Sequence, residues 1–112
     1  MLTAGEIADL FVAVSKTSEA RVSYRGGVQR GNGAIPYDTG ATQQTIYKAR
    51  EQGNQAVVGI GNEAVYYVKY LQYADTTGGG QPNRHKEFVQ KAIVELLVPA
   101  IEQKYRCKVE IK

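Results

Sequence analysis

Few side chains of this chain could act as a base, a nucleophile or a metal ligand. His85 is the sole histidine and Cys107 the sole cysteine among 112 residues. A catalytic Ser–His pair would need His85 to meet Ser15, Ser18 or Ser23 in space, with a third group orienting the ring, and no spacing suggests this. His85 sits between Arg84 and Lys86 at an expected helix start, where a solvated imidazole is the simpler reading. With no second His, Cys or Asp at ligand spacing it does not announce a metal site. Cys107 cannot form an intrachain disulfide and reads as a small buried hydrophobe. The Gly31-Asn32-Gly33 and Gly78-Gly79-Gly80 runs lack the Lys-Ser/Thr pair or third spaced glycine of a phosphate cradle. No catalytic, metal-binding or cofactor-binding residue is therefore expected, and the chain reads as non-enzymatic.

What remains is cationic and aromatic surface. The 14 Lys and Arg against 11 Asp and Glu give a net charge of +3, and no block of five like charges occurs. Nucleic-acid binders often gather positive charge on one face. Interspersed charges instead read as an ordinary solvated surface. Arg25, Arg30, Arg84 and Lys86 form a basic patch only if two glycine-rich loops converge. Of the eight tyrosines, Tyr37, Tyr47, Tyr66, Tyr67, Tyr70 and Tyr73 fall between Ile35 and Asp75, a stretch almost free of reactive groups. Much aromatic surface with little chemistry points to packing and assembly.

The elements that must position these residues are legible in part. The length suits one domain spanning residues 1–112 with one core. The N-terminus lacks a signal-peptide pattern and no apolar run approaches 18 residues, so a soluble protein from a reducing compartment is expected, with no membrane contact. Thr3 and Glu6 match a capping box, and Ile7, Leu10, Phe11 and Val14 recur at helical spacing, which predicts a helix over Ala4–Lys16. Ala20–Arg25 alternates as a short strand, and Gly26–Gly40 follows as a long loop. Asp38 or Thr39 caps an expected second helix over Ala41–Arg50, ended by Gly53.

Gln55–Gly61 reads as a strand with Ala56, Val58 and Ile60 on one face, and Gly61-Asn62 turns it into an antiparallel partner over Glu63–Tyr73. That partner is unusual. Val65, Tyr67, Leu71 and Tyr73 with Lys69 take one face, and Tyr66, Val68, Tyr70 and Gln72 the other, so both faces are apolar or aromatic. Tyrosine tolerates water, so such a face can be merely exposed. In so short a chain a neighbouring subunit is the preferred cover. Thr76–Pro82 is a flexible connector. Asn83 caps a long helix from Arg84 whose stripe includes Phe88, Ala92, Ile93, Leu97 and Ile101, with a kink or break expected at Pro99. Cys107–Lys112 alternates as a closing strand. The fold class is α+β, a small antiparallel sheet packed on one face by two to three helices, with long glycine-rich loops.

Pro36-Tyr37-Asp38-Thr39-Gly40, the helix bearing Ile46, Val57-Val58-Gly59-Ile60-Gly61, the Val65–Tyr73 segment, a glycine-rich loop and a terminal amphipathic helix together carry a resemblance. The pattern resembles the tail-completion or minor capsid proteins of the head–tail neck in long-tailed bacteriophages, over roughly residues 1–105. Where that family commonly ends the Tyr segment with an acidic-aromatic-Gly element, this chain has Leu71-Gln72-Tyr73-Ala74-Asp75. Its nearest match to the family's Arg-Pro-Phe element is Asn83–Phe88. The resemblance implies a non-enzymatic structural virion subunit, made in the host bacterial cytoplasm. It would assemble with itself into a ring, often six-fold, between the connector and the tail-terminator or tail-tube proteins, with transient contact to channel DNA. Such rings use two different surfaces per subunit. The expected contact residues are Arg25, Arg30, Tyr37, Tyr66, Tyr70, Arg84 and Lys86. A nucleic-acid-binding module using the loop arginines and stacking tyrosines is the main alternative. A toxin–antitoxin or small regulatory protein is a third.

Overall fold

The computed structural model describes every residue except 1, 63–66, 78 and 111–112. Helix α1 (Ala4–Ser15) starts where the capping pattern places it. The Thr3 hydroxyl accepts from the Glu6 N–H at 3.1 Å, and also donates to the Glu6 carboxylate at 3.2 Å. A 3₁₀ turn (Ser18–Ala20) leads into β1 (Arg21–Val22), which pairs in parallel with β2 (Ile35–Pro36). The intervening residues are not an open loop. A 3₁₀ turn (Arg25–Gly27) reverses the chain, and Ser23 and Arg30 exchange both backbone hydrogen bonds, at 2.8 and 2.9 Å.

Gly33 marks a close approach on the way into β2. A Cβ there would stand 2.1 Å from the Ala20 carbonyl oxygen, which is backbone and cannot swing aside. Gly33→Ala is therefore expected to destabilise the protein by about 1–3 kcal/mol, as an overpacked site does. A lowered urea midpoint at unchanged m-value is the measurement that checks it.

The second helix is shorter than expected. α2 covers only Ala41–Gln44, and residues 47–50, expected as its continuation, belong to strand β3 (Tyr47–Gln52). Thr45 ends the helix. Its hydroxyl donates back to the Thr42 carbonyl at 2.8 Å and accepts from the Gly61 N–H at 2.9 Å, which fastens the chain just beyond the second strand of the hairpin that follows. β3 pairs antiparallel with β4 (Gln55–Gly59), and Ala49 is bulged out of the register between Lys48↔Val58 and Arg50↔Val57. Gly53, at φ 60°, takes the first position of a two-residue hairpin turn rather than a helix end. Ala56, Val58 and Ile60 are half-buried on the inward face, as their alternation predicts. Among the described residues the strands thus form two separate pairs, one parallel and one antiparallel, within an α+β fold.

The aromatic segment is also corrected. Val68–Tyr73 is helix α3, not a strand, with Val68 and Gln72 buried and Leu71 half-buried beside them. Those positions follow helical spacing, so the exposed tyrosines are the outer face of a helix. Val65 and Tyr66 lie outside the described residues. Thr76 and Pro82 bridge, and the Thr77 N–H donates to Gln81 O at 2.7 Å, so the connector is a closed loop.

The last helix begins at Phe88 rather than Arg84, because Glu87 adopts a left-handed conformation and 84–87 form a turn. It runs as α4 (Phe88–Ala92), a π-helical segment (Ile93–Leu97) and α5 (Val98–Tyr105). Pro99 cannot donate to Glu95 and its ring crowds that carbonyl. The helix answers by widening: the Val98 N–H bonds to Ile93 O, five residues back, so the rod continues without a break. The core gathers Phe11, Ala20, Ile35, Ile46, Phe88, Ala92, Leu97 and Ile101. Arg106 at φ 50° ends α5, and residues 107–110 form no strand, contrary to the expected closing strand. Cys107 is exposed, not buried.

Candidate functional site

Asn83 builds a wide surface groove by fastening two elements. Its side-chain amide donates to Leu71 O at 3.0 Å and Ala74 O at 2.8 Å, carbonyls that the end of α3 leaves without helical partners. Its side-chain oxygen accepts from the His85 N–H at 3.1 Å. Asn83 thus caps the end of α3, not the start of the long helix. The turn that follows presents Arg84 and His85 across from Tyr24 and the Pro36–Thr42 segment, enclosing a groove of about 890 Å³.

Three of the expected contact residues meet there, Arg25, Tyr37 and Arg84. Arg25 pairs with Asp38 at 3.3 Å, both largely exposed. Such a pair is worth little to stability and leaves both charges available. The Arg84 guanidinium lies 4.1 Å from the Tyr24 ring centre, and the His85 ring packs on the same tyrosine at 4.9 Å. The Arg21 guanidinium covers Tyr37 at 4.3 Å. Arg30 lines a smaller adjoining recess of about 320 Å³ with Arg21 and Asp38. Lys86 lies outside the groove lining and is ion-paired with Asp75, which raises the lysine pKa and lowers that of the carboxylate. Tyr70 stands outside the groove on α3, 56% exposed, near the still more exposed Tyr73 at 73%. Tyr66 lies outside the described residues.

The sequence reading missed Tyr24 and His85 as groove residues. The adjacency Tyr24-Arg25 and Arg84-His85 was the available signal, since both loops carry an aromatic ring beside a guanidinium. His85 is half-buried, not solvated, and its Nδ1 has no hydrogen-bond partner among the described residues. Desolvation, and then the charges of Lys91 and Arg84, hold its pKa below the ordinary value of 6.5. Protonation therefore favours the unfolded chain. Stability should be full above pH 6.5 and fall as the pH drops through and below that value toward the lowered folded pKa. The expected result is a lower melting temperature at pH 5.5 than at pH 7.5, with His85→Gln flattening that difference.

Ser23 and His85 both line the groove, and the His85 Nδ1 has no hydrogen-bond partner among the described residues. The Ser23 hydroxyl accepts from the Arg25 N–H at 3.3 Å, while Ser15 and Ser18 line other parts of the molecule. Among the described residues no three His, Cys, Asp or Glu side chains cluster as a metal ion would need. No helix among them is long and apolar enough to cross a membrane. What the groove offers is a wide mouth with two guanidinium groups, one paired carboxylate and aromatic walls, a chemistry suited to another macromolecule's surface. No protein-family model, curated protein or solved structure matches this chain.

Proposed function

We propose that this chain is a structural subunit of a phage head–tail neck or tail-completion ring, acting by assembly and not by catalysis. The observation that carries the reading is the exposed aromatic helix beside the groove. Tyr67 at the N-cap of α3 and Tyr70 and Tyr73 on the helix are all exposed, and Leu71 of α3 lines the groove together with Tyr67. Tyrosine and arginine supply large contact area and hydrogen-bonding ends at protein interfaces, where they are enriched. On this proposal Arg25, Tyr37, Tyr70 and Arg84 contact a neighbouring subunit, and the ring joins connector to tail. The protein is made in the host cytoplasm and ends in the virion.

The nucleic-acid reading is the weaker because Tyr24 and Tyr37 already have a guanidinium stacked on them, which leaves those rings less face for a base. Light scattering across a concentration series, with electron microscopy of assembled particles, tests the proposal. Oligomers of defined stoichiometry located at the neck would support it. A protein that stays monomeric and is absent from virions would sink it. Tight, site-sized DNA binding that weakens steeply with salt would favour the alternative.

A further inference from the structure

Tyr37 is a wall shared by three adjoining hollows. It lines the groove of about 890 Å³, the recess of about 320 Å³ and a third hollow of about 280 Å³. Lys16, Arg21, Arg25, Arg30 and Arg84 also line them, and Asp38 is the one carboxylate among their described lining residues. Of 14 cationic and 11 anionic side chains, nine and ten are then left for the rest of the chain. The net positive charge therefore gathers around Tyr37.

Elsewhere several lysines are answered by acids. Lys48 pairs with Asp9 and Glu51, Lys86 with Asp75 and Lys91 with Glu95. Around Tyr37 only Arg25 has an acidic partner, Asp38, and Lys16, Arg21, Arg30 and Arg84 have none among the described residues. Arg21 is nonetheless held on two sides. Its Nε donates to Gln43 Oε1 at 2.9 Å and its guanidinium lies 4.3 Å from the Tyr37 ring centre, while its Nη groups have no acceptor among the described residues. Arg84 is laid on Tyr24 in the same way. A planar guanidinium fixed by its neighbours loses little freedom when it grips a carboxylate. Like charges gathered without a countercharge repel one another, and an anion from outside relieves that repulsion.

Two features select a protein over a nucleic acid. Asp38 stands in both the groove and the recess of about 320 Å³, where a run of phosphates would meet its charge. A polypeptide can set an N–H of its own against that carboxylate. The rings of Tyr24 and Tyr37 are each partly covered by a guanidinium, so they are poor platforms for bases. Pro36, Leu71 and Pro82 add apolar wall beside the charges, a mixture that protein interfaces use. We infer that the surface around Tyr37 receives an acidic protein segment, whose Asp or Glu carboxylates seat on Lys16, Arg21, Arg30 and Arg84. The inference rests on the assembly reading above and gives the neighbour its chemistry.

Fluorescence anisotropy on the full chain, with labelled octaglutamate and separately with labelled octathymidylate, is the test. Octaglutamate should bind, and octathymidylate should bind more weakly at the same salt. Lys16→Glu with Arg30→Glu should weaken octaglutamate binding by about tenfold or more. Arg50→Glu with Lys108→Glu has the same net charge but lies off this surface, and should change binding by less than about twofold. All four side chains are exposed, and circular dichroism checks that both pairs fold. The milder Lys16→Gln with Arg30→Gln replaces the charge reversal if that variant is unfolded. Equal losses from the two pairs, no octaglutamate binding, or octathymidylate binding as tightly would overturn the acidic partner. Defined oligomers in light scattering without such binding would leave ring assembly standing. A monomer absent from virions that still binds octaglutamate through Lys16 and Arg30 would overturn the ring and keep the acidic partner.

Discussion

Phe88→Ala is expected to cost about 3–5 kcal/mol, the range for emptying a fully buried aromatic site. Phe88 is 1% exposed and joins Ile35 of β2 and Ile46 in the core. The surroundings cannot readily collapse into the space, because polar contacts hold this end of α4 in place. Gln72 accepts from the Val89 N–H at 3.0 Å through its side chain and from the Glu87 N–H at 2.8 Å through its backbone carbonyl. Domains of this size are stable by only about 5–15 kcal/mol, so roughly a fifth or more of the total would go. The melting temperature should fall by roughly 15–30 °C. Val94→Ala in the neighbouring π-helical segment removes a side chain that is 56% exposed, and should change stability by no more than about 0.5 kcal/mol. Equal losses from the two changes would refute the assignment of Phe88 to the core.

Gln43→Glu should be nearly as damaging although it preserves shape. Gln43 is 4% exposed, and its amide nitrogen donates to Ser15 O at 3.0 Å and Thr17 O at 2.8 Å. Its oxygen accepts from Arg21 Nε at 2.9 Å. One side chain from α2 therefore caps the end of α1 and fixes the start of β1. A glutamate keeps the Arg21 contact but turns a second oxygen toward two carbonyl oxygens, leaving a buried site without its donor. Each unmet group costs about 1–3 kcal/mol, so a loss of roughly 2–4 kcal/mol at pH 7 is expected. The deficit should narrow below about pH 5, where a protonated carboxyl can donate again. Chemical denaturation of both proteins at pH 7 and pH 4.5 measures this, and a deficit independent of pH would contradict it.

The contrast between these sites shows what the sequence could reveal. α1 was legible because capping and a four-position apolar stripe agree over twelve residues. The stripe from Phe88 to Ile101 and the irregularity at Pro99 were legible for the same reason. Val68–Tyr73 was misread because six residues hold fewer than two helical turns, and Val-Lys-Tyr-Leu-Gln-Tyr satisfies either period in so short a window. Tyr47–Gln52 has good helix formers, and only its long-range pairing with β4 makes it a strand. Gln43 gave no signal at all, since nothing local marks a glutamine whose partners lie 26 and 28 residues away. The groove was half legible: the loop arginines were visible, but the Asn83 clamp that brings Arg84 and His85 to Tyr24 is a tertiary event.

The π-helical segment ahead of Pro99 has a consequence for lineage. Buried positions along the rod fall at Phe88, Ala92, Leu97 and Ile101, intervals of four, five and four. The middle interval is what a single inserted residue leaves in an otherwise regular helix. A related chain one residue shorter between Ile93 and Leu97 could present the same four side chains to the same core. A gap in the middle of that helix, usually a mark of damage, would there be the conservative alignment.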